Sequence, residues 1–428
     1  MKYFILALFI ATYVLIIAFT KRKLIISMVS AVVMAVSLLI SGELSGGTLF
    51  SAIDFNVILM LFGIMLTVGL FTESNMPNKL ADKLVSKIPN LLVTLVLLSV
   101  LSGFISAFID NVATVMMLAP IGLAICKKTN VSPIPVIISI AVSSNLQGAA
   151  TLVGDTTSIM LGAFADMSFL DFFVMDGKLS IFWAVELGAL LTVPVLIFIF
   201  RKNNKKLEYL SEEIKVTSIF PTLMLLLTIL LLVVFSFVQN KPAITNGLIC
   251  TTLGVICAVY YVLKFKVKSV KKFASFIDFE TIFFLLFLFV IIASVEAVGI
   301  IDDLASVFVA IGSKNVFLLY TLIVFGSVLI SAFIDNIPYV ATMLPVIAGL
   351  SAGLPNVSPQ LLYFGLLCGA TLGGNITPIG ASANIVGIGI LRKEGYEVKV
   401  KDFLKIGLPF TLVATLGAYV FNWLIWAL

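Results

Sequence analysis

Two aspartate–asparagine pairs, Asp110-Asn111 and Asp335-Asn336, lie in the middle of long apolar stretches of this 428-residue chain. A carboxylate in such a place is costly unless something satisfies it, so it is read first as functional. Each pair precedes an apolar helix, whose first turn would point unpaired N–H groups and a partial positive charge back at it. Asp and Asn also serve as helix caps, which is the purely structural reading. Ser or Thr would cap equally well, however, and the same pair recurs in both halves of the chain. That recurrence favours a binding role.

Each half adds an apolar run with a polar middle. In 133–165 the apolar ends surround Asn145, Thr151, Gly154, Asp155, Thr156 and Ser158; in 358–390 they surround Asn375, Thr377, Gly380, Ser382 and Asn384. Glycines, Pro378 and clustered hydroxyls and amides mark a helix interrupted by unwound backbone, tolerated at membrane depth only where protein buries it or where it lines a cavity. Freed carbonyls and hydroxyls are hard oxygen ligands for a dehydrated alkali cation, while half-helix N-termini suit an anion. The Na⁺ candidates are Asp110, Asn111, Asp155, Asp335, Asn336 and Asn375. Gly365, Gly369 and Gly373 form a small-residue stripe, read as helix packing. Glu73 and Glu296 end comparable runs and are read as gates or proton relays, or equally as interfacial carboxylates. Glu186 carries no assigned role.

The elements that must hold these residues are membrane spans. The chain is 61% hydrophobic and only 11% charged, and its apolar runs come near the roughly 20 residues that cross a bilayer. Runs fall at 4–20, 24–40, 55–72, 91–126, 133–165, 181–200, 217–238, 244–263, 279–298, 316–351, 358–390 and 406–427. With Lys21-Arg22-Lys23 placed in the cytoplasm, 23 of the 27 lysines and arginines fall on that side, leaving Lys2, Lys178, Lys241 and Lys314 outside. This asymmetry follows the positive-inside rule and puts both termini outside. The net charge of +5 is spread over such clusters and gives no nucleic-acid signal. There is no histidine, and the four cysteines stand singly, which excludes a histidine-ligated metal and a paired-thiol zinc or redox motif. No P-loop is present, so a nucleotide-driven pump or membrane enzyme is not indicated.

The sequence also repeats itself. Ser106–Val112 (SAFIDNV) matches Ser331–Ile337 (SAFIDNI) at an offset of 225, Asp54-Phe55 matches Asp278-Phe279 at 224, and Gly154 matches Gly380 at 226. This indicates an internal duplication. The span tally turns the second copy upside down, the inverted arrangement common in secondary transporters. The fold class expected is an all-α polytopic membrane protein of two inverted repeats, 1–202 and 216–428, joined by a cytoplasmic linker at 203–215. Charge alone does not decide whether 91–126 and 316–351 are re-entrant hairpins or pairs of full crossings, since the two have the same parity.

At Ser331–Pro345 (SAFIDNIPYVATMLP) and Gly369–Gly395 (GATLGGNITPIGASANIVGIGILRKEG) the sequence resembles the arsenite-permease and pink-eyed-dilution P-protein branch of the ion transporter superfamily. That superfamily also holds divalent-anion/sodium symporters and a type of sodium/proton antiporter. The resemblance implies five spans per half, one of them broken, plus a re-entrant helical hairpin, in a homodimer of the cytoplasmic (inner) membrane. It implies one ion site at Asp110, Asn111 and Thr151–Thr156 and another at Asp335, Asn336 and Asn375–Asn384. One departure is that Gly154-Asp155 is followed by Thr156-Thr157-Ser158, where this branch usually has two prolines and an asparagine. The function expected is secondary active transport of a small inorganic or carboxylate anion, with Na⁺ or H⁺ as coupling ion and no other cofactor. Na⁺/H⁺ antiport is the alternative and an ion channel a weaker one. Neither nucleic acid nor catalysis is expected.

Overall fold

The computed structural model describes residues 1–19, 22–207, 214–266 and 270–427. Lys21 of the basic cluster and residues 208–213 of the expected linker lie outside the described residues. The first half runs α1 (Lys2–Ala18), α2 (Lys23–Ser41), α3 (Gly46–Ser51), α4 (Phe55–Glu73) and α5 (Met76–Val85). It continues with α6 (Leu91–Ser106), α7 (Asn111–Thr129), α8 (Pro133–Gly148), α9 (Thr156–Phe164) and α10 (Ile181–Phe200). The second half gives α11 (Phe220–Ser236), α12 (Thr245–Phe265), α13 (Val270–Ala274), α14 (Phe279–Ala297) and α15 (Ile300–Gly312). Then follow α16 (Val316–Ser331), α17 (Asn336–Gly353), α18 (Pro359–Gly373), α19 (Ser382–Lys393) and α20 (Val400–Trp426). Each helix of the first half has a counterpart in the second, in the same order.

The correspondence extends to how the helices begin. Asp54 accepts the Val57 N–H at 3.1 Å to cap α4, and Asp278 accepts that of Thr281 at 3.0 Å to cap α14. Asn90 caps α6 through Val93 and Asn315 caps α16 through Leu318, at 3.2 and 3.0 Å. Such caps satisfy N–H groups that lipid could not. Among the described residues eight helical spans are long and apolar enough to cross a membrane, those of α2, α7, α10, α12 and α20 included. Ile25, Val29, Val32, Val36 and Ile40 turn one side of α2 outward, as a lipid-facing helix would. The protein is a multi-pass membrane protein. The arms α6 and α16 have 16 residues each, about 24 Å at 1.5 Å per residue, short of a ~30 Å hydrocarbon core.

Packing exchanges elements between the halves in reciprocal pairs: α4 lies on α12 and α14 on α2, while α9 lies on α17 and α19 on α7. Within each half α6 packs on α8 and α16 on α18, and α10 crosses α20. The α4–α12 contact is backbone on backbone. A Cβ added to Gly63 would sit 2.1 Å from the Cys250 carbonyl carbon, so only glycine fits there. The Gly365–Gly373 stripe turns toward α16, as the packing reading expects.

One element departs from the all-α expectation. Val174–Met175 and Lys178–Leu179 form a two-stranded antiparallel hairpin around Asp176-Gly177, whose φ angles of 52° and 72° suit a tight two-residue turn. The Trp426 indole donates to the Leu179 carbonyl at 3.1 Å and ties this hairpin to the end of α20.

Candidate functional site

Both hairpin tips end on a carboxylate. Asp110 Oδ2 accepts the N–H groups of Val112 and Ala113 at 3.0 and 3.1 Å, opening α7. Asp335 Oδ1 accepts the Ile337 N–H at 3.4 Å, opening α17. The two breaks are built alike. Thr151 Oγ1 donates to the Ala107 carbonyl and Thr377 Oγ1 to the Ala332 carbonyl, fastening each break to the hairpin tip of its own half. Ser158 Oγ donates to the Gly148 carbonyl at 3.1 Å, and Asn384 Nδ2 to the Gly374 and Thr377 carbonyls at 2.9 and 3.0 Å. Ser158 and Asn384 therefore satisfy carbonyls that the interrupted helices leave unpaired, and Thr151 and Thr377 satisfy carbonyls at the ends of α6 and α16. Gly154 and Gly380 sit where backbones nearly touch; a Cβ on either would lie 2.6 Å from a carbonyl oxygen across its break.

A buried amide chain joins the halves. Ser106 Oγ donates to Asn111 Oδ1 at 2.6 Å, Asn111 Nδ2 to Asn145 Oδ1 at 3.3 Å, and Asn145 Nδ2 to Asn375 Oδ1 at 3.1 Å. Asn375 Nδ2 in turn donates to the Val142 carbonyl at 2.9 Å. A second link runs from Asn336 Nδ2 of one half to Asp155 Oδ2 of the other at 3.4 Å. Asp155 also accepts the Thr156 N–H at 2.8 Å and the Thr157 hydroxyl at 2.7 Å, capping α9.

A cavity of about 770 Å³ gathers Asp110, Asn111, Asn145, Asp155, Thr156, Asn336 and Ser382 on one surface. Thr151, Gly154, Ser158, Asp335, Asn375, Thr377, Gly380 and Asn384 do not line it. The sequence grouped its candidates half by half; the folded chain brings residues of both halves onto one wall. Four helix N-termini, those of α7, α9, α17 and α19, belong to this region. Three are capped by a carboxylate. The fourth, α19, follows Ala381, which offers no side-chain cap, and Ser382 and Ala383 line the cavity. Among the described residues no three Asp, Glu, His or Cys side chains converge to hold a metal ion. A cation here would draw on one or two carboxylates with amide and hydroxyl oxygens, a donor set of the hard kind.

Asp335 has a partner that the sequence did not suggest. Lys23 Nζ, at the first turn of α2, lies 3.0 Å from Asp335 Oδ2, with the side chains 17% and 21% exposed. The same ammonium stands 5.4 Å from the Phe284 ring centroid. A lysine counted as an orientation marker thus reaches a hairpin tip in the other half. At the cavity rim Glu73 pairs with Lys272 at 2.6 Å, and Asp278 accepts from Thr281.

A smaller cavity of about 540 Å³ is lined by the repeat-equivalent pieces: Asp54 where the larger has Asp278, Glu296 near the place of Glu73, and Ala341 where the larger has Met116. It stops at Ala341 and Leu344 and includes none of the candidate residues at the hairpin tips or breaks.

With this geometry in place, comparison with known proteins gives the family. A family model described as citrate transporter matches residues 13–369. The chain belongs to the citrate transporter family. This transporter is similar to a 46 kDa membrane protein of Mycobacterium leprae, 28% identical over 421 residues covering 98% of this chain and 97% of that one. It is also similar to the human P protein, 24% identical over 441 residues, covering 85% of this chain and 52% of the P protein, about half its length. The resemblance to the P-protein branch therefore holds. Among solved structures, the Alcanivorax borkumensis YdaH transporter aligns with a TM-score of 0.61 at 16% identity, over 88% of this chain and 86% of that one, a likeness of fold.

Lys23 was missed because an ammonium that follows a basic run reads as interfacial. One signal was present: Asp335 sits in an apolar stretch with no basic residue near it in sequence, and a long lysine stem at a span end can bend inward as well as outward.

Proposed function

We propose that this citrate-family transporter moves a small inorganic or carboxylate anion by alternating access, coupled to Na⁺ or H⁺. The observation that carries the reading is the single cavity wall, where carboxylate-capped helix ends stand beside one uncapped end. Asp110 and Asp155, with Asn336 and Thr156, offer oxygens to a cation. The free N–H groups opening α19 suit an anion's oxygens. An anion held there gains from a cation bound alongside, since among the described residues no basic side chain lines the wall. The family description makes citrate the first carboxylate to try.

Alternating access is supported by the paired cavities. The one that reaches the candidate residues opens beside Glu73 and Asp278, ends that the charge tally assigns to the cytoplasm, while its repeat-equivalent stops short. Inverted halves exchange those roles when one bundle rocks against the other. We assign the protein to the cytoplasmic (inner) membrane as a homodimer with both termini outside, on the charge tally and the resemblance. Na⁺/H⁺ antiport is the second reading, favoured by the same wall of carboxylates without a basic residue.

A thermal-shift screen of purified protein against oxyanions and carboxylates, with and without Na⁺, tests the choice, because a ligand raises apparent stability by mass action. Anion transport predicts that citrate or another anion raises the melting temperature only when Na⁺ or acid pH is supplied. Stabilisation by Na⁺ alone, with no response to any anion, would leave antiport.

A further inference from the structure

Glu186 lies in the second turn of α10, outside the cavity just described. Its Oε2 accepts the side-chain amide of Gln147 at 2.9 Å. Gln147 is the penultimate residue of α8, buried at the very end of the helix that leads into the first break. The remaining oxygens of the pair, Glu186 Oε1 and Gln147 Oε1, are both buried and both without a hydrogen-bond partner among the described residues. The Gln147 amide is also confined: a Cβ on Gly103 of α6 would lie 2.3 Å from its Oε1.

An ionised carboxylate only accepts, as does an amide oxygen, so two buried acceptors left without a donor on one hydrogen-bonded pair are a costly arrangement. A single proton resolves both. Placed on Glu186 Oε1 it can be donated to Gln147 Oε1 while the Gln147 N–H still serves Oε2, giving an acid–amide ring with two hydrogen bonds. Turning the amide over would set its carbonyl against Glu186 Oε2, and that orientation too calls for a proton between oxygens.

Among the described residues no charged group offers another explanation. Residues 91–106 and 133–148, the facing helices α6 and α8, hold no titratable side chain. On α20, which crosses α10 where Gly188 meets Ala414, Asp402 pairs with Lys405 at 3.3 Å at the far end, beside Lys401. Tyr419 of α20 bonds Thr321 at 2.7 Å instead. Lys178 stands over the Trp426 ring at the hairpin, and Arg201 and Lys202 lie past the other end of α10.

We propose that Glu186 and Gln147 form a proton-binding site, closed when Glu186 Oε1 takes one proton from hydronium, releasing water, to complete an acid–amide ring between α10 and the end of α8. The step forms one O–H bond at the expense of one in hydronium and neutralises the carboxylate; nothing else is made or broken. Asn145, two residues before Gln147, holds the amide chain that joins the halves, so the ring fixes the helix end on which the cavity wall depends. Its coupling to transport rests on the alternating-access reading above; the binding of the proton does not.

Infrared difference spectra of the purified full-length protein across a pH titration test the site. The expected result is a protonated-carboxyl stretch that disappears on alkalinisation in wild type and is missing from Glu186→Gln. That variant keeps an amide–amide ring and is expected to melt with wild type at the acid end. An identical titrating band in Glu186→Gln would overturn the proposal. In proteoliposomes, citrate uptake followed against pH should show in wild type a step of up to about tenfold per pH unit where the infrared band titrates, as for a one-proton site. Glu186→Gln should lose that step and keep only the dependence due to citrate's own ionisation and to the coupling ion. A wild-type pH profile in the variant would overturn the coupling. If wild type carries no citrate, the infrared titration still decides the proton site, so its failure is distinguishable from failure of the transport reading.

Discussion

Asp155→Asn is expected to leave substrate binding without its cation: Na⁺- or proton-driven uptake should fall on the order of 100-fold, and stabilisation by Na⁺ should vanish. Asp155 is 8% exposed and receives bonds from Thr156, Thr157 and, across the halves, Asn336. The amide keeps the shape and one acceptor, so the fold should hold. What goes is the charge, and a hydrogen-bonded or coordinated ion in such a setting is worth roughly 3 kcal/mol, about two decades in binding. Uptake into proteoliposomes and Na⁺-dependent melting read the two effects separately. Wild-type responses in both would remove Asp155 from the site.

Lys23→Met should be the most damaging change for stability among the residues near the site. It strands Asp335, four-fifths buried, with one N–H at 3.4 Å as its remaining partner among the described residues. Losing one partner of a largely buried pair costs about 3 kcal/mol, chiefly because the remaining charge stays desolvated. The double variant Lys23→Met/Asp335→Asn should recover most of that loss, since the stranded charge is gone. Lys23→Met alone should also acquire a stronger stabilisation by Na⁺ than wild type, because the ion can replace the ammonium at Asp335. Melting curves of the three proteins with and without Na⁺ carry the test; equal loss in single and double variants would mean that the pair does not hold the hairpin tip.

The sequence carried most of the scaffold in readable form. Run lengths located the spans, and Gly148, Gly154, Gly374 and Gly380 with their hydroxyl neighbours located both breaks, because unwound backbone in lipid needs such residues. Asp110 and Asp335 stood out for a different reason, the cost of a carboxylate inside an apolar stretch. Which of those polar groups face the cavity was not legible, since Thr151, Ser158, Thr377 and Asn384 have the same chemistry as the exposed ones and are distinguished only by the carbonyls they meet. Contacts across the halves were also hidden. Asn145 with Asn375, Asn336 with Asp155 and Lys23 with Asp335 are each separated by hundreds of residues. The repeat pointed to partners inside each half, whereas the packing exchanges α9 and α19 between the hairpin helices. The Glu186–Gln147 pair escaped for a simpler reason: a glutamate near the start of a span reads as reaching water.

Counterflow in proteoliposomes tests the central claim most directly. Vesicles are loaded with the anion that best stabilises the purified protein, and the entry of its labelled form from outside is followed with the coupling ion present. Alternating access predicts saturable entry that rises when unlabelled anion is inside and that stops without Na⁺ or protons. Entry that rises linearly with concentration and ignores the anion inside would contradict it.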